Sequence, residues 1–147
     1  MPLIMAQIDR YRDELQAFAF RLLGSVEEAE DCVQNAYLAA VKNPQAPENA
    51  RAWLYRVTHN LAVNELRRRA AAPRLEAPRD GVRSGDADLE RALAGLPEEQ
   101  RTILLLRYTQ GLSFEEIAEV LGRPAATLKV YAGRGLSALR RSLRRFP

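Results

Sequence analysis

Sulfur and imidazole are nearly absent from this 147-residue chain: Cys32 is its one cysteine and His59 its one histidine. An internal disulfide is thereby excluded, and so is a zinc site built from thiolate and imidazole ligands. Cys32 stands among Ala29, Val33 and Ala36, the setting of a small core residue rather than a reactive thiol. No apolar run approaches the roughly 20 residues that span a bilayer. The stretch from Met1 to Arg12 carries charge and lacks a continuous apolar segment ending in a small-residue cleavage site. The expectation is a cytoplasmic protein without membrane insertion. Strand-like alternation and internal repeats are also missing. The glycines of Ala132-Gly133-Arg134-Gly135 fall inside a helical pattern with no strand before them, so they do not form a phosphate-cradling loop. The carboxylates form no convergent set for acid–base work. No catalytic residue, metal site or cofactor is therefore expected, and the chain is not read as an enzyme.

What the chain does contain is helical periodicity. Ile8, Tyr11, Leu15, Phe18 and Leu22 recur at helical spacing and predict a first helix over about Ile8 to Leu23, stopped by Gly24. Ser25 with Glu28 reads as a capping box for a second helix. Val26, Ala29, Val33, Ala36, Tyr37 and Val41 carry it to the break at Asn43-Pro44. A third helix, about Ala50 to Ala71, is expected to turn Ala50, Trp53, Leu54, Val57, Leu61 and Leu66 inward, with Arg56, Asn60, Asn64 and Arg67 along another face. Periodicity then disappears from Ala72 to Gly85 into Pro73, Pro78, Gly81, Ser84, Gly85 and scattered charge, the composition of an exposed, flexible linker. Beyond it, Asp86 to Ala94 resumes as helix, Pro97 starts another running through Ile103 to Tyr108, and Gly111 ends that one. The expected fold is all-α: two small helical lobes, 1–71 and 86–147, joined by the linker 72–85.

The stretch from Leu112 to Leu128 reads as a helix-turn-helix. Ser113 caps its first helix with Glu116 in reciprocal position, and Leu112 staples onto Ile117. Gly122 supplies a positive-φ turn four residues after the small Ala118, Pro124 opens the second helix, and Leu128 returns to the shared core. A plain helical hairpin meets some of these conditions, but charge adds an argument for DNA. The net charge is +3, yet residues 97–147 hold nine basic and five acidic side chains, while residues 1–72 hold nine of each. The surplus, including Arg140, Arg141, Arg144 and Arg145, lies where neutralising phosphate raises affinity.

In sequence order the motifs are Arg21-Leu22-Leu23-Gly24-Ser25, Ala29-Glu30-Asp31-Cys32-Val33-Gln34, and Arg51-Ala52-Trp53-Leu54-Tyr55-Arg56-Val57 with Asn60-Leu61-Ala62. Leu96-Pro97-Glu98-Glu99-Gln100-Arg101, Leu104-Leu105-Leu106-Arg107-Tyr108 and Gly111-Leu112-Ser113-Phe114-Glu115-Glu116-Ile117-Ala118 follow after the linker. In this order they resemble the sigma factors of bacterial RNA polymerase, in the extracytoplasmic-function (ECF) branch that keeps only regions 2 and 4. The resemblance implies a transcription initiation factor with core RNA polymerase, promoter DNA and an anti-sigma factor as partners. It makes Asp31, Gln34 and Asn35 polymerase contacts, although the family usually has Glu where Asn35 stands. Arg56, Asn60 and Asn64, with Arg67, Arg68 and Arg69 on phosphates, would face the −10 element. Lys129, Val130, Tyr131 and Arg134 would face the −35 element. Val130-Tyr131 replaces the family's Ser-Arg, and Gly133 and Gly135 are expected to interrupt the helix. For that reason a second reading stays open, a sigma-like protein that sequesters an anti-sigma factor without productive DNA binding. Tyr131 itself reads equally as a phosphate donor or as an aromatic packed on Leu128 and Leu121.

Overall fold

In the computed structural model, residues 2–43, 47–71 and 87–144 are described, and all regular structure among them is helical. The chain divides into two compact units, Met1–Asp80 and Gly81–Pro147. The expected linker, 72–85, lies outside the described residues, as do Pro44, Asp86 and Arg145.

The first unit is a three-helix lobe made of α1 (Pro2–Leu23), α2 (Val26–Lys42) and α3 (Ala50–Ala71). α1 begins six residues before the expected Ile8, since proline is tolerated in a first helical turn and good helix formers follow it. Gly24, at φ 75, ends it by donating its amide to the Phe20 carbonyl at 2.7 Å. The core is Ile8, Leu15, Phe18, Ala29, Cys32, Val33, Ala36, Leu54 and Tyr55. Two expectations need correction here. First, the ends of the α2 pattern, Val26 and Val41, are about half exposed (51% and 50%). Second, α3 is rotated: Ala52, Tyr55, Thr58 and Ala62 are buried with Ala50 and Leu54, whereas Trp53, Val57, Leu61 and Leu66 are only half-buried. Polar contacts accompany the rotation. The Tyr55 hydroxyl donates to Glu14 Oε1 on α1 at 2.9 Å, and the Cys32 thiol donates to the Thr58 backbone carbonyl at 3.4 Å.

The second unit holds α4 (Ala87–Ala94), α5 (Glu98–Leu104), a π-helical turn (Leu105–Thr109), α6 (Phe114–Leu121) and α7 (Ala125–Leu143). The single helix expected from Pro97 to Tyr108 thus changes pitch at Leu105. Gln110 donates to the Leu105 carbonyl and Leu112 to the Leu106 carbonyl, both at 2.9 Å. A further correction concerns α7, which runs unbroken through Gly133 and Gly135. Gly135 is buried, and a Cβ built there would lie 3.1 Å from Leu104 Cδ1 and 3.5 Å from Gln100 Cβ. It lets α7 approach α5, and packing recovers what glycine costs the helix.

Candidate nucleic-acid and polymerase interfaces

α2 presents one candidate surface. Ser25 Oγ accepts from the Glu28 amide at 3.3 Å, starting the helix. The return half of the expected capping box is replaced, because the Glu28 carboxylate is turned to Arg69. One turn on, Asp31, Gln34 and Asn35 are all exposed, and Leu38 (49%) and Val41 (50%) extend the surface as an apolar end. Cys32, on the opposite side, is buried, and burial followed by the nearby Glu65 charge pushes its thiol up to about 11.

α3 carries the second surface. Arg56, Asn60, Asn64 and Arg67 are each exposed, at helical spacing, over roughly 16 Å of helix. Trp53 and Val57, half-buried, flank that row. Apolarity alone places Trp53 inward; its register with Asn60 and Asn64 is the signal that it borders the polar face.

The three arginines that follow divide. Arg67 is exposed. Arg68 is also exposed but donates twice to Glu65, at 2.6 and 2.9 Å, and this pairing holds the Glu65 carboxyl below its usual range. Arg69, its side chain 25% exposed, donates from Nη1 to the Leu23 carbonyl at 2.9 Å, pairs with Glu28 and lies 3.9 Å from Glu65. It joins the end of α1, the start of α2 and its own helix. That places it apart from the exposed row with which the sequence groups it.

In the second unit, α6 begins with a complete capping box. Ser113 Oγ accepts from the Glu116 amide at 3.1 Å, and the Ser113 amide donates to Glu116 Oε1 at 3.0 Å. Leu112, Ile117 and Leu128 are fully buried. Gly122, at φ 68, makes the left-handed turn that lets α7 start after Pro124. Along α7, Lys129, Val130 and Arg134 are exposed and Tyr131 is half-buried. Arg134 Cζ lies 5.8 Å from the Tyr131 ring centroid. Two residues outside the expected set, Arg107 and Phe114, join them: Arg107 Cζ lies 5.0 Å and Lys129 Nζ 5.9 Å from the centroid of the Phe114 ring. The π-helical turn that carries Arg107 leaves no trace in the periodicity. Among the described residues no cluster of His, Cys, Asp and Glu could hold a metal, and no helix is long and apolar enough to cross a membrane.

These features define a helical DNA-binding protein whose second unit is a helix-turn-helix and whose first offers separate polar faces on two helices. Residues 7–72 match sigma-70 region 2, and residues 86–139 match sigma-70 region 4. The ECF RNA polymerase sigma factor SigW of Bacillus subtilis (strain 168) is 32% identical over 162 residues, covering 93% of this chain and 87% of that protein. SigL of Mycobacterium tuberculosis (strain H37Rv) is also 32% identical, over 161 residues, covering 96% and 89%. The fold is similar to that of the sigma factor RpoE of Bartonella quintana, solved in complex with the anti-sigma factor NepR, with a TM-score of 0.80, 23% identity and full coverage of both chains. The chain belongs to the ECF sigma factors of the sigma-70 family, transcription initiation factors that direct RNA polymerase to promoters.

Proposed function

We propose that the two lobes divide promoter recognition as their exposed faces suggest. In lobe 1–71, Asp31, Gln34 and Asn35 dock core polymerase. Arg56, Asn60, Asn64 and Arg67 on α3 meet the −10 element, with Arg68 contributing once phosphate displaces Glu65. The Asn amides offer a paired donor and acceptor to a base edge, and Trp53 gives a base a ring to stack on. In lobe 86–147, α7 enters the major groove at the −35 element through Lys129, Val130, Tyr131 and Arg134, where Val130 suits a thymine methyl. Segment 72–85 joins the lobes, an anti-sigma protein regulates the chain by covering both kinds of face, and the protein works in the cytoplasm without chemistry of its own. The continuity of α7 removes one ground for reading it as a non-binding mimic, the interruption expected at Gly133 and Gly135.

The observation that carries this reading is the exposed row Arg56, Asn60, Asn64 and Arg67 on a helix other than the one bearing Asp31 and Gln34. Run-off transcription with core polymerase, on DNA upstream of the chain's own gene, tests it. Asn60→Ala and Asn64→Ala should each lower promoter opening about tenfold, within the roughly 1 to 3 kcal/mol of a lost base contact, and spare core binding. Asp31→Ala and Gln34→Ala should do the reverse. Equal loss of core binding from both pairs would refute the division.

A further inference from the structure

We propose that Phe114 is a positioning residue for the DNA contact of the helix-turn-helix. Its ring holds Lys129 in place without neutralising it, with Arg107 on the same ring. This rests on the reading that α7 docks on promoter DNA and concerns how that docking is prepared.

Several cations of this lobe are held in one of two ways. Arg91 pairs with Asp88 at 2.5 Å and Arg123 with Glu99 at 3.1 Å, so a carboxylate cancels each charge locally. Arg107 and Lys129 are held differently. Among the described residues neither is ion-paired, and both lie over the Phe114 ring, at 5.0 and 5.9 Å. A ring attracts a cation through its quadrupole yet leaves the full positive charge to act on a third party. Two like charges beside one ring also repel each other, a tension that an arriving phosphate relieves.

The surrounding backbone fixes the ring. Phe114 is the first residue of α6, behind the Ser113–Glu116 capping box. Arg107 reaches it from the π-helical turn, and its Nη1 donates to the Leu112 carbonyl at 3.0 Å, which ties the guanidinium to the entry of α6. Lys129 comes from the second turn of α7, so the ring bridges both helices of the motif. Lysine is a flexible point charge whose ordering on a phosphate costs rotamer entropy. Resting it on a ring removes part of that cost before DNA arrives. Arg134 over Tyr131 repeats the device one turn further along α7.

The test measures binding of the full chain, alone and assembled with core polymerase, to a fluorescein-labelled mixed-sequence duplex across a salt series. Phe114→Leu keeps an apolar residue behind the capping box but removes the ring. It should weaken binding about two- to five-fold, the scale of an exposed cation–π contact. The salt slope should stay unchanged, because no charge is lost. Lys129→Ala should weaken binding and lower the slope by about one unit. In the Lys129→Ala background Phe114→Leu should cost less than it does alone, and Phe114→Tyr should bind like the parent chain. Loss on Lys129→Ala with full affinity for Phe114→Leu would overturn the positioning role and leave the docking reading intact. Unchanged affinity on Lys129→Ala would overturn both. If Phe114→Leu cost as much with Lys129 absent as present, the ring would act only on the fold and the positioning role would fall.

Discussion

Replacing Arg69 with alanine separates the roles of three consecutive arginines that look equivalent in sequence. Arg69 is 25% exposed and its partner Glu28 35%; its Nη1 also satisfies the Leu23 carbonyl at the end of α1. An exposed ion pair is worth at most about 1 kcal/mol, whereas breaking a fully buried one costs roughly 3 to 5 kcal/mol. This site lies between those limits, and Arg69→Ala also leaves a helix-end carbonyl without its donor. A loss of about 2 kcal/mol follows, which for a lobe of this size lowers Tm by roughly 8 to 16 °C. Trp53 is the one tryptophan and belongs to the same lobe, so its fluorescence during thermal denaturation reports this unit alone. Arg67→Ala, at an exposed position, should stay within about 0.5 kcal/mol of the parent. On DNA the order reverses. Arg67→Ala lowers the salt slope by about one unit, and Arg69→Ala leaves it alone. Arg69→Lys keeps the charge but not the fork that reaches several acceptors, and should be intermediate in stability. An Arg69→Ala variant that melted like the parent chain while shedding a unit of salt slope would make Arg69 a phosphate ligand after all.

Three further outcomes are expected. Gly133→Ala adds a methyl that meets nothing within 4 Å and should stabilise the second lobe by up to about 1 kcal/mol in calorimetry. Gly135→Ala, its methyl 3.1 Å from Leu104 Cδ1, should melt below Gly133→Ala; the opposite order would refute the close α5–α7 approach. The Cys32 thiol, raised from 9.0 to about 11 by burial, should resist alkylation at pH 8 in the native protein and react as urea unfolds it, so fast native labelling would contradict its burial. Because the folded value lies above the unfolded one, the associated stability is complete below about pH 9 and is lost as pH rises toward 11, a sign that urea titrations across that window would check.

Much of the helix plan is legible in the sequence because helix ends are written in local chemistry. Gly24 closes α1, Ser25 opens α2, Ser113 with Glu116 opens α6 and Gly122 turns into α7, each through contacts within four residues. The face of α3 is less legible. Apolarity favours Trp53 and Val57, but the Tyr55 hydroxyl has its partner on α1, 41 residues away, and the backbone carbonyl of Thr58 accepts from Cys32 on α2, 26 residues away. The π-helical turn escapes for a related reason. One extra residue in a turn shifts an apolar stripe only where a polar face borders it, and here Thr102, Ile103, Leu104, Leu105 and Leu106 are all buried. Gly135 reads as a helix breaker because its justification, the approach of Leu104, lies on another helix.

The basic residues mark the deeper limit. A sequence counts charge, while a binding site depends on what each charge already touches. Arg69 reads like Arg67, yet its partners Leu23 and Glu28 lie 46 and 41 positions upstream. Arg123 and Lys129 both border the start of α7, yet one faces a carboxylate and the other a ring. The overall +3 therefore says little about which surface attracts DNA. Carboxylate-held arginines contribute to the fold and only weakly to the outward field, whereas ring-held cations contribute positioning and field together. Affinity for the phosphate backbone should accordingly follow cations left free to act outward, such as Arg67 and Lys129, whose substitution should change the salt slope, where substitution of the half-buried Arg69 changes the melting temperature.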